Sequence, residues 1–308
     1  MRKQKYPGDH LLQQGLGRMS DDKVWVARAL ALMPSLQDVP ADAAAQRRLL
    51  GNALIARAEP ASEALCAACD EVLRREGAAP AAAAAVVTIE SPPLVAGGLW
   101  LQHRGGTRLC VWRGDITTLA VDAVVNAAND AGLGCFVPSH RCIDNVLHRA
   151  AGPRLREACR VAMRARGGAP LAAGTAPLLT PGFALPAQHV LHVTGPALRR
   201  GAEPTAAQDA QLASAYRGCL DAARRAGLRS VAFCCISTGI FGFPQERAAG
   251  IALRTTRDWL DGGWRAEDGG GGGGGAEPAL DAVVFDTFMA QDEALYRRLA
   301  PQVFDDDG

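Results

Sequence analysis

Beyond residue 100 the chain alternates short, β-branched apolar runs with helix-length stretches, and that alternation restricts its fold more than any other feature. Strands are predicted over 107–112, 123–126, 175–179, 189–193, 230–235 and 282–286. Helices are predicted over 142–150, 153–164, 206–226, 244–260 and 291–299. Strand and helix in turn build an α/β sheet sandwiched between helices. Ligands of such sheets lie in the loops beyond the strand ends.

The first part of the chain has a different texture. Val24, Val26, Leu30 and Leu32, then Leu49, Leu50, Leu54 and Ile55, then Leu65, Cys66, Cys69, Val72 and Leu73 recur at helical spacing. These predict a small helical N-terminal unit with little catalytic chemistry of its own. Residues 77–99 are rich in Ala, Pro and Gly, which reads as a linker or domain edge. The expected division is 1–95, helices and linker, and 96–308, the α/β domain. Seven consecutive glycines, Gly269 to Gly275, predict a disordered surface loop over 266–278 inside that domain. Asp305, Asp306 and Asp307 form a solvated tail.

At 308 residues, about two domains are expected. Lys plus Arg number 33 and Asp plus Glu 32, for a net charge of +1, so a strongly basic nucleic-acid binder is excluded and no nucleic-acid partner is expected. Nine cysteines cannot all pair within one chain, which favours a reducing compartment. The most apolar run, 81–89, is far short of the roughly 20 residues that cross a bilayer, so no membrane partner is expected. Arg2, Lys3 and Lys5 are followed by Pro7, Gly8, Asp9 and His10 in place of an apolar core, which is no secretory signal. The expectation is a soluble cytoplasmic chain, with organelle targeting left open.

Four segments carry chemistry. Gly114-Asp115-Ile116-Thr117 follows a strand; its carboxylate can accept from an exocyclic amine or merely cap a turn. Val125-Asn126-Ala127-Ala128-Asn129 ends a buried strand with two amides, suited to sugar hydroxyls or to closing a turn. Gly134 to Asn145 holds Cys135, His140 and Cys142, spaced Cys-x4-His-x-Cys. Two thiols and an imidazole suit zinc, and three local ligands with no obvious fourth match a catalytic site with an open position. The alternative is two buried free cysteines and a surface histidine. Cys234 to Pro244 runs from a strand through Ser237-Thr238-Gly239-Ile240-Phe241 into a helix, whose N–H groups suit a diphosphate or simply connect two elements. It lacks the endings of a P-loop and of a dinucleotide fingerprint. Cys66 and Cys69 read as buried helix cysteines, His148 and His192 as structural, and Cys110, Cys159 and Cys219 as small core residues.

In this order the four segments resemble the macrodomain family, and specifically its zinc-dependent branch of protein-ADP-ribose hydrolases. The resemblance continues through Ala151-Gly152, Leu185-Pro186, the His192 strand with Gly195-Pro196, and Arg247-Ala248-Ala249, covering roughly residues 100–300. Gly242, the order Val193-Thr194 and the glycine run depart from the family pattern. The resemblance implies a three-layer α/β/α macrodomain with a mixed central sheet, the helical unit preceding it. It implies that Asp115, with the Ile116 backbone, holds the adenine amine. Asn129 would meet the distal ribose, Asn126 would also bind the ligand, and Ser237, Thr238, Gly239, Ile240 and Phe241 would wrap the diphosphate. Phe288 would stack on adenine. Cys135, His140 and Cys142 would bind one Zn2+ per chain, with Asp144 and Asn129 as catalytic groups. The implied activity is removal of mono-ADP-ribose from modified protein side chains, carboxylate-linked, with ADP-ribose and the modified protein as partners of a monomer. A non-catalytic ADP-ribose reader and an O-acyl-ADP-ribose deacylase are the alternatives.

Overall fold

The computed structural model describes residues 22–33, 35–36, 38–199, 201–263 and 280–304. The chain start, the glycine-rich loop expected at 266–278 and the acidic tail lie outside the described residues.

Seven strands form one sheet: β1 (Leu99–Gln102), β2 (Arg108–Trp112), β3 (Ala123–Ala127), β4 (Leu178–Pro181), β5 (His189–Val193), β6 (Ser230–Phe233) and β7 (Ala282–Asp286). Their order is β1-β2-β7-β6-β3-β5-β4. The inner five run parallel, and β1 and β4 are antiparallel edges. The sheet is therefore mixed. Every residue of β6 and β7 is buried, which requires cover on both faces. The cover is α6 (Ile143–Ala151) with α7 (Pro153–Ala165), and the mutually packed α8 (Ala206–Arg225), α9 (Gln245–Asp258) and α10 (Ala290–Phe304). This is the three-layer α/β/α architecture the sequence predicts. No helix among the described residues is long and apolar enough to cross a membrane.

Ahead of the sheet lie α1 (Asp22–Ala31), α2 (Ala43–Ala56), α3 (Glu63–Ala78), α4 (Pro80–Ala84) and α5 (Pro92–Gly97). Side-chain caps start two of them: Asp42 accepts from the Ala45 N–H and Ser62 from the Leu65 N–H. Val26, Leu30, Met33, Leu50, Leu65, Cys69 and Val72 form a hydrophobic cluster apart from the main core. Burial pushes the Cys69 thiol up to about 12, as befits an inert core cysteine.

The stretch read as a linker is folded. Its prolines open α4 and α5 as first-turn residues, where no N–H is missed. Val87 bridges to Leu119, and Val87 and Leu94 belong to the main core. Two more differences concern the edges. Strand β1 went unpredicted because it is short and only half-buried. Strand β4 sits at 178–181, not 175–179, and includes a proline that an edge strand tolerates.

Because Leu94 is fully buried in the main core, Leu94→Ala should lower unfolding free energy by about 2–5 kcal/mol. Urea denaturation checks it; a flexible linker would show no change.

Candidate active site

Five parallel strands deliver their C-terminal ends to one edge of the sheet, and each end leads into a predicted site segment. β2 runs into Gly114–Thr117, β7 into Phe288, β6 into the 234–243 loop, β3 into Asn129 and β5 into Gly195.

At the β2 and β7 ends, Asp115 caps a 3-10 turn (Ile116–Thr118), and one oxygen accepts from the Thr117 N–H and hydroxyl at 3.0 and 2.6 Å. The turn-capping role is real, and it leaves the second carboxylate oxygen without a hydrogen bond among the described residues. Asp286, buried beside it, accepts from the Gly114 N–H at 3.3 Å. Burial, with Asp115 adding repulsion, holds the Asp286 carboxyl well above the usual range. Sequence reasoning missed Asp286; the signal was an acidic residue closing an otherwise apolar strand. Phe288 follows it, 38% exposed.

The β6 loop is shaped by close approach. Ser237 takes φ +68°, a left-handed conformation costly for a non-glycine. Its buried hydroxyl makes no hydrogen bond. A Cβ on Gly195 would lie 2.1 Å from that hydroxyl, so only glycine lets the β5 and β6 loops meet. The Gly242 and Phe243 N–H groups close the loop on Gly239 and Ser237 carbonyls. Those of Ser237, Gly239, Ile240 and Phe241 donate to no acceptor among the described residues. They precede α9, so the loop offers a set of free donors beside a helix N-terminus.

At the β3 end the Cys/His segment begins at Gly134, whose φ is +83° and where a Cβ would press on the His148 ring at 2.8 Å. Asn129 supports the segment by donating to the Gly134 carbonyl at 3.1 Å. The Cys135 thiol lies 3.5 Å from His140 Nδ1 and accepts from the Val137 N–H at 3.5 Å. Cys142 is the N-cap of α6, its sulfur accepting the Asn145 N–H. Asn145 Nδ2 donates to the Val137 and His140 carbonyls at 2.8 and 2.9 Å, tying the loop to the helix start. Burial first, then the neighbouring Cys135 and Asp144, push the Cys142 thiol up to about 12.

Behind the segment lies a buried polar chain. Asn126 Nδ2 donates to Asp144 Oδ1 at 2.8 Å and to His192 Nδ1 at 3.1 Å. His192 Nε2 meets the Thr180 hydroxyl at 2.9 Å. Register makes this possible, since Asn126 and His192 are direct partners across β3 and β5. Asn126 was expected to touch a ligand; it is fully buried, its Nδ2 holds Asp144 and His192, and its Oδ1 has no hydrogen bond among the described residues. Burial raises the Asp144 carboxyl to about 6, against the opposing pull of Asn126. His148 Nε2 lies 3.4 Å from Asp144 Oδ1, too poorly aligned to bond. His148, Cys159 and His192 bring ligand atoms within 4.8 Å of one another, the one such trio among the described residues. Both His192 nitrogens are engaged, so this cluster reads as a structural network, matching the sequence expectation for these residues.

A protein-family model, the Macro domain, matches residues 125–252. A protein-ADP-ribose hydrolase of Treponema medium is 43% identical over 196 residues, covering 64% of this chain and 68% of that protein. The chain belongs to the macro domain family. A probable bifunctional ADP-ribose hydrolase/ADP-ribosyltransferase of Fusarium oxysporum f. sp. cubense is 46% identical over 201 residues. The match covers 63% of this macro domain chain but spans only 31% of the fungal protein. The crystal structure of the Trypanosoma brucei macrodomain in complex with ADP-ribose superposes with a TM-score of 0.52 at 28% identity, covering 92% of this chain and 96% of that one.

Within this macro domain the Cys/His donors suit a soft divalent ion. One thiol has an imidazole 3.5 Å away, and the other caps a helix N-terminus, where the dipole favours thiolate. Without a cation, burial above all disfavours the Cys142 thiolate, and a bound cation would oppose that. The donor types are those zinc takes, but the ligand atoms of Cys135, His140 and Cys142 do not all lie within 4.8 Å of one another in this structure.

Burial lowers the His192 imidazole to about 4. The unfolded imidazole titrates near 6.5, so below that pH the unfolded chain gains a proton that the folded chain refuses. His192 therefore leaves stability intact above about pH 6.5 and removes up to about 3 kcal/mol as pH falls towards 4. Asp144 and Asp286, raised by burial, act in the opposite direction. The checkable quantity is the difference between wild type and His192→Gln: their unfolding free energies should converge as pH is lowered from 6.5 to 4.5.

Proposed function

We propose that the chain is a zinc-dependent hydrolase that removes mono-ADP-ribose from modified protein side chains, with carboxylate-linked adducts as substrates. The observation that carries this reading is the order of groups along the sheet edge. Asp115 and Phe288 stand at β2 and β7, the free donors at β6, and Asn129 with the Cys/His segment at β3. Three strand spacings separate β2 from β3, about 14 Å. That order matches an elongated ligand with a base at one end, a diphosphate in the middle and a sugar at the far end. The named activity of the Treponema relative and the ADP-ribose complex of the trypanosomal macrodomain support the same assignment.

The roles follow from position. The second oxygen of Asp115 accepts from the adenine amine, and Phe288 offers its exposed ring to the base. The Ser237, Gly239, Ile240 and Phe241 N–H groups take the diphosphate oxygens, with the α9 dipole opposing their charge. Asn129 orients the distal ribose. Cys135, His140 and Cys142 would hold zinc, which when bound would supply a Lewis acid for the reaction. Asp144 orients the attacking water or accepts its proton; a carboxyl titrating near 6 is suited to that work at neutral pH.

A reader would need the diphosphate cradle but no open metal position. The deciding experiment compares release of ADP-ribose from a modified protein by wild type, Cys142→Ala and chelator-treated wild type, with ADP-ribose binding measured by calorimetry. Release should fall at least about 100-fold in the last two, while binding changes by less than about threefold. Full rates after chelation would exclude the zinc mechanism. Binding without release by wild type would make the protein a reader. Separately, Gly195→Ala, which crowds Ser237, should weaken ADP-ribose binding at least about tenfold, by displacing the donor loop.

A further inference from the structure

The helical unit ahead of the sheet is joined to the Cys/His segment through one buried cation. Arg156 of α7 is 5% exposed, and no carboxylate bonds it. Its Nη1 donates to the carbonyls of Leu54, Ile55 and Arg57, at 3.1, 3.0 and 2.7 Å. These are the last-turn and C-cap carbonyls of α2, which no helical N–H satisfies. Its Nη2 donates to the Cys135 carbonyl at 3.3 Å. Its guanidinium carbon sits 4.3 Å from the centroid of the Phe136 ring. One planar group thus grips the negative end of α2 on one side and the peptide around the first predicted metal ligand on the other.

Burying a guanidinium is costly, and burial does lower its proton affinity. The three α2 carbonyls that it satisfies offset part of that cost. Neighbouring contacts hold the unit to α7 without touching the segment: Arg154 pairs with Glu63 and Asp70, and Glu157 accepts the Ala61 N–H at 2.9 Å. Docking is therefore provided for elsewhere, and Arg156 adds something that these contacts do not.

We infer that Arg156 is a positioning residue for the metal segment, and that the N-terminal helical unit serves the site by anchoring it through the α2 carbonyls. The inference rests on the zinc reading of Cys135, His140 and Cys142. Fixing the Cys135 carbonyl and Phe136 ring fixes the peptide that aims the Cys135 thiol. Groups that orient a ligand in this way commonly set metal affinity by 10–100-fold.

The test uses the full chain with metal alone. Zinc affinity is measured by competition with a chromophoric chelator, and the cobalt-substituted protein gives a thiolate charge-transfer band that reports ligand geometry. Arg156→Met and Arg156→Lys are compared with Arg154→Met, which loosens the same docking surface away from the segment. Zinc should dissociate at least about tenfold more readily from both Arg156 variants, with an altered cobalt band, while Arg154→Met matches wild type. ADP-ribose affinity should stay within about threefold throughout, showing that the fold persists. Should Arg156→Met not fold, Phe136→Leu keeps every Arg156 hydrogen bond and should still loosen zinc several-fold. Wild-type zinc affinity and an unchanged cobalt band in the Arg156 variants, or equal loss in Arg154→Met, would overturn the inference alone. Wild type that binds no zinc would overturn the zinc reading and this inference with it.

Discussion

The parallel pairing of β2, β7, β6, β3 and β5 determines where chemistry can occur in this chain. Parallel strands need crossovers, and crossovers through helices bury both faces, leaving one row of strand ends to face solvent. Every group proposed to touch substrate leaves from that row. The pairing brings together segments that stand more than a hundred residues apart, such as Asp115 and Asp286. A protein that must bind an elongated, chemically uneven ligand gains a linear scaffold from this arrangement, with one strand end for each portion of the ligand.

Beneath the row, the Thr180–His192–Asn126–Asp144 chain gives the site its rigidity and its cost. A neutral His192 fixes which way the Asn126 amide points, and the amide fixes Asp144. Buried polar chains of this kind specify one arrangement when satisfied and penalise any break. The chain is satisfied except where the site begins: Asn126 Oδ1, His148 Nε2 and the Ser237 hydroxyl make no bond. The left-handed Ser237 adds backbone strain beside these unpaired groups.

Local patterns were legible and juxtapositions were not. β-branched runs located the five parallel strands, because strands buried on both faces need such residues throughout, while the edge strand β4 was placed about three residues early. The Cys/His spacing, the Ser-Thr-Gly loop and the paired asparagines were visible because each lies within a dozen residues. Strand β1 and the burial of Leu94 were not visible, since both depend on neighbours that a window of sequence does not contain. Asn126 looked like its companion Asn129; only the register opposite His192 shows that one faces inward. Arg156 looked like Arg154, Arg160 and Arg164 on the same helix, and no periodicity distinguishes a buried guanidinium from a solvated one.

The placement of Arg156 bears on why an extension precedes the sheet at all. A three-layer α/β/α fold already covers its own core, and the extension's apolar cluster is separate from it. Its contacts with the rest of the chain concentrate on α6 and α7, the helices that follow the Cys/His segment. A long loop carrying soft ligands is the least self-supporting element of such a site, because backbone outside helix and strand has few fixed partners. Placing the open end of a helix against an arginine that also holds that loop supplies partners from outside the sheet. On this view the extension supports the long Cys/His loop from outside the sheet, and the two features belong together as one structural solution.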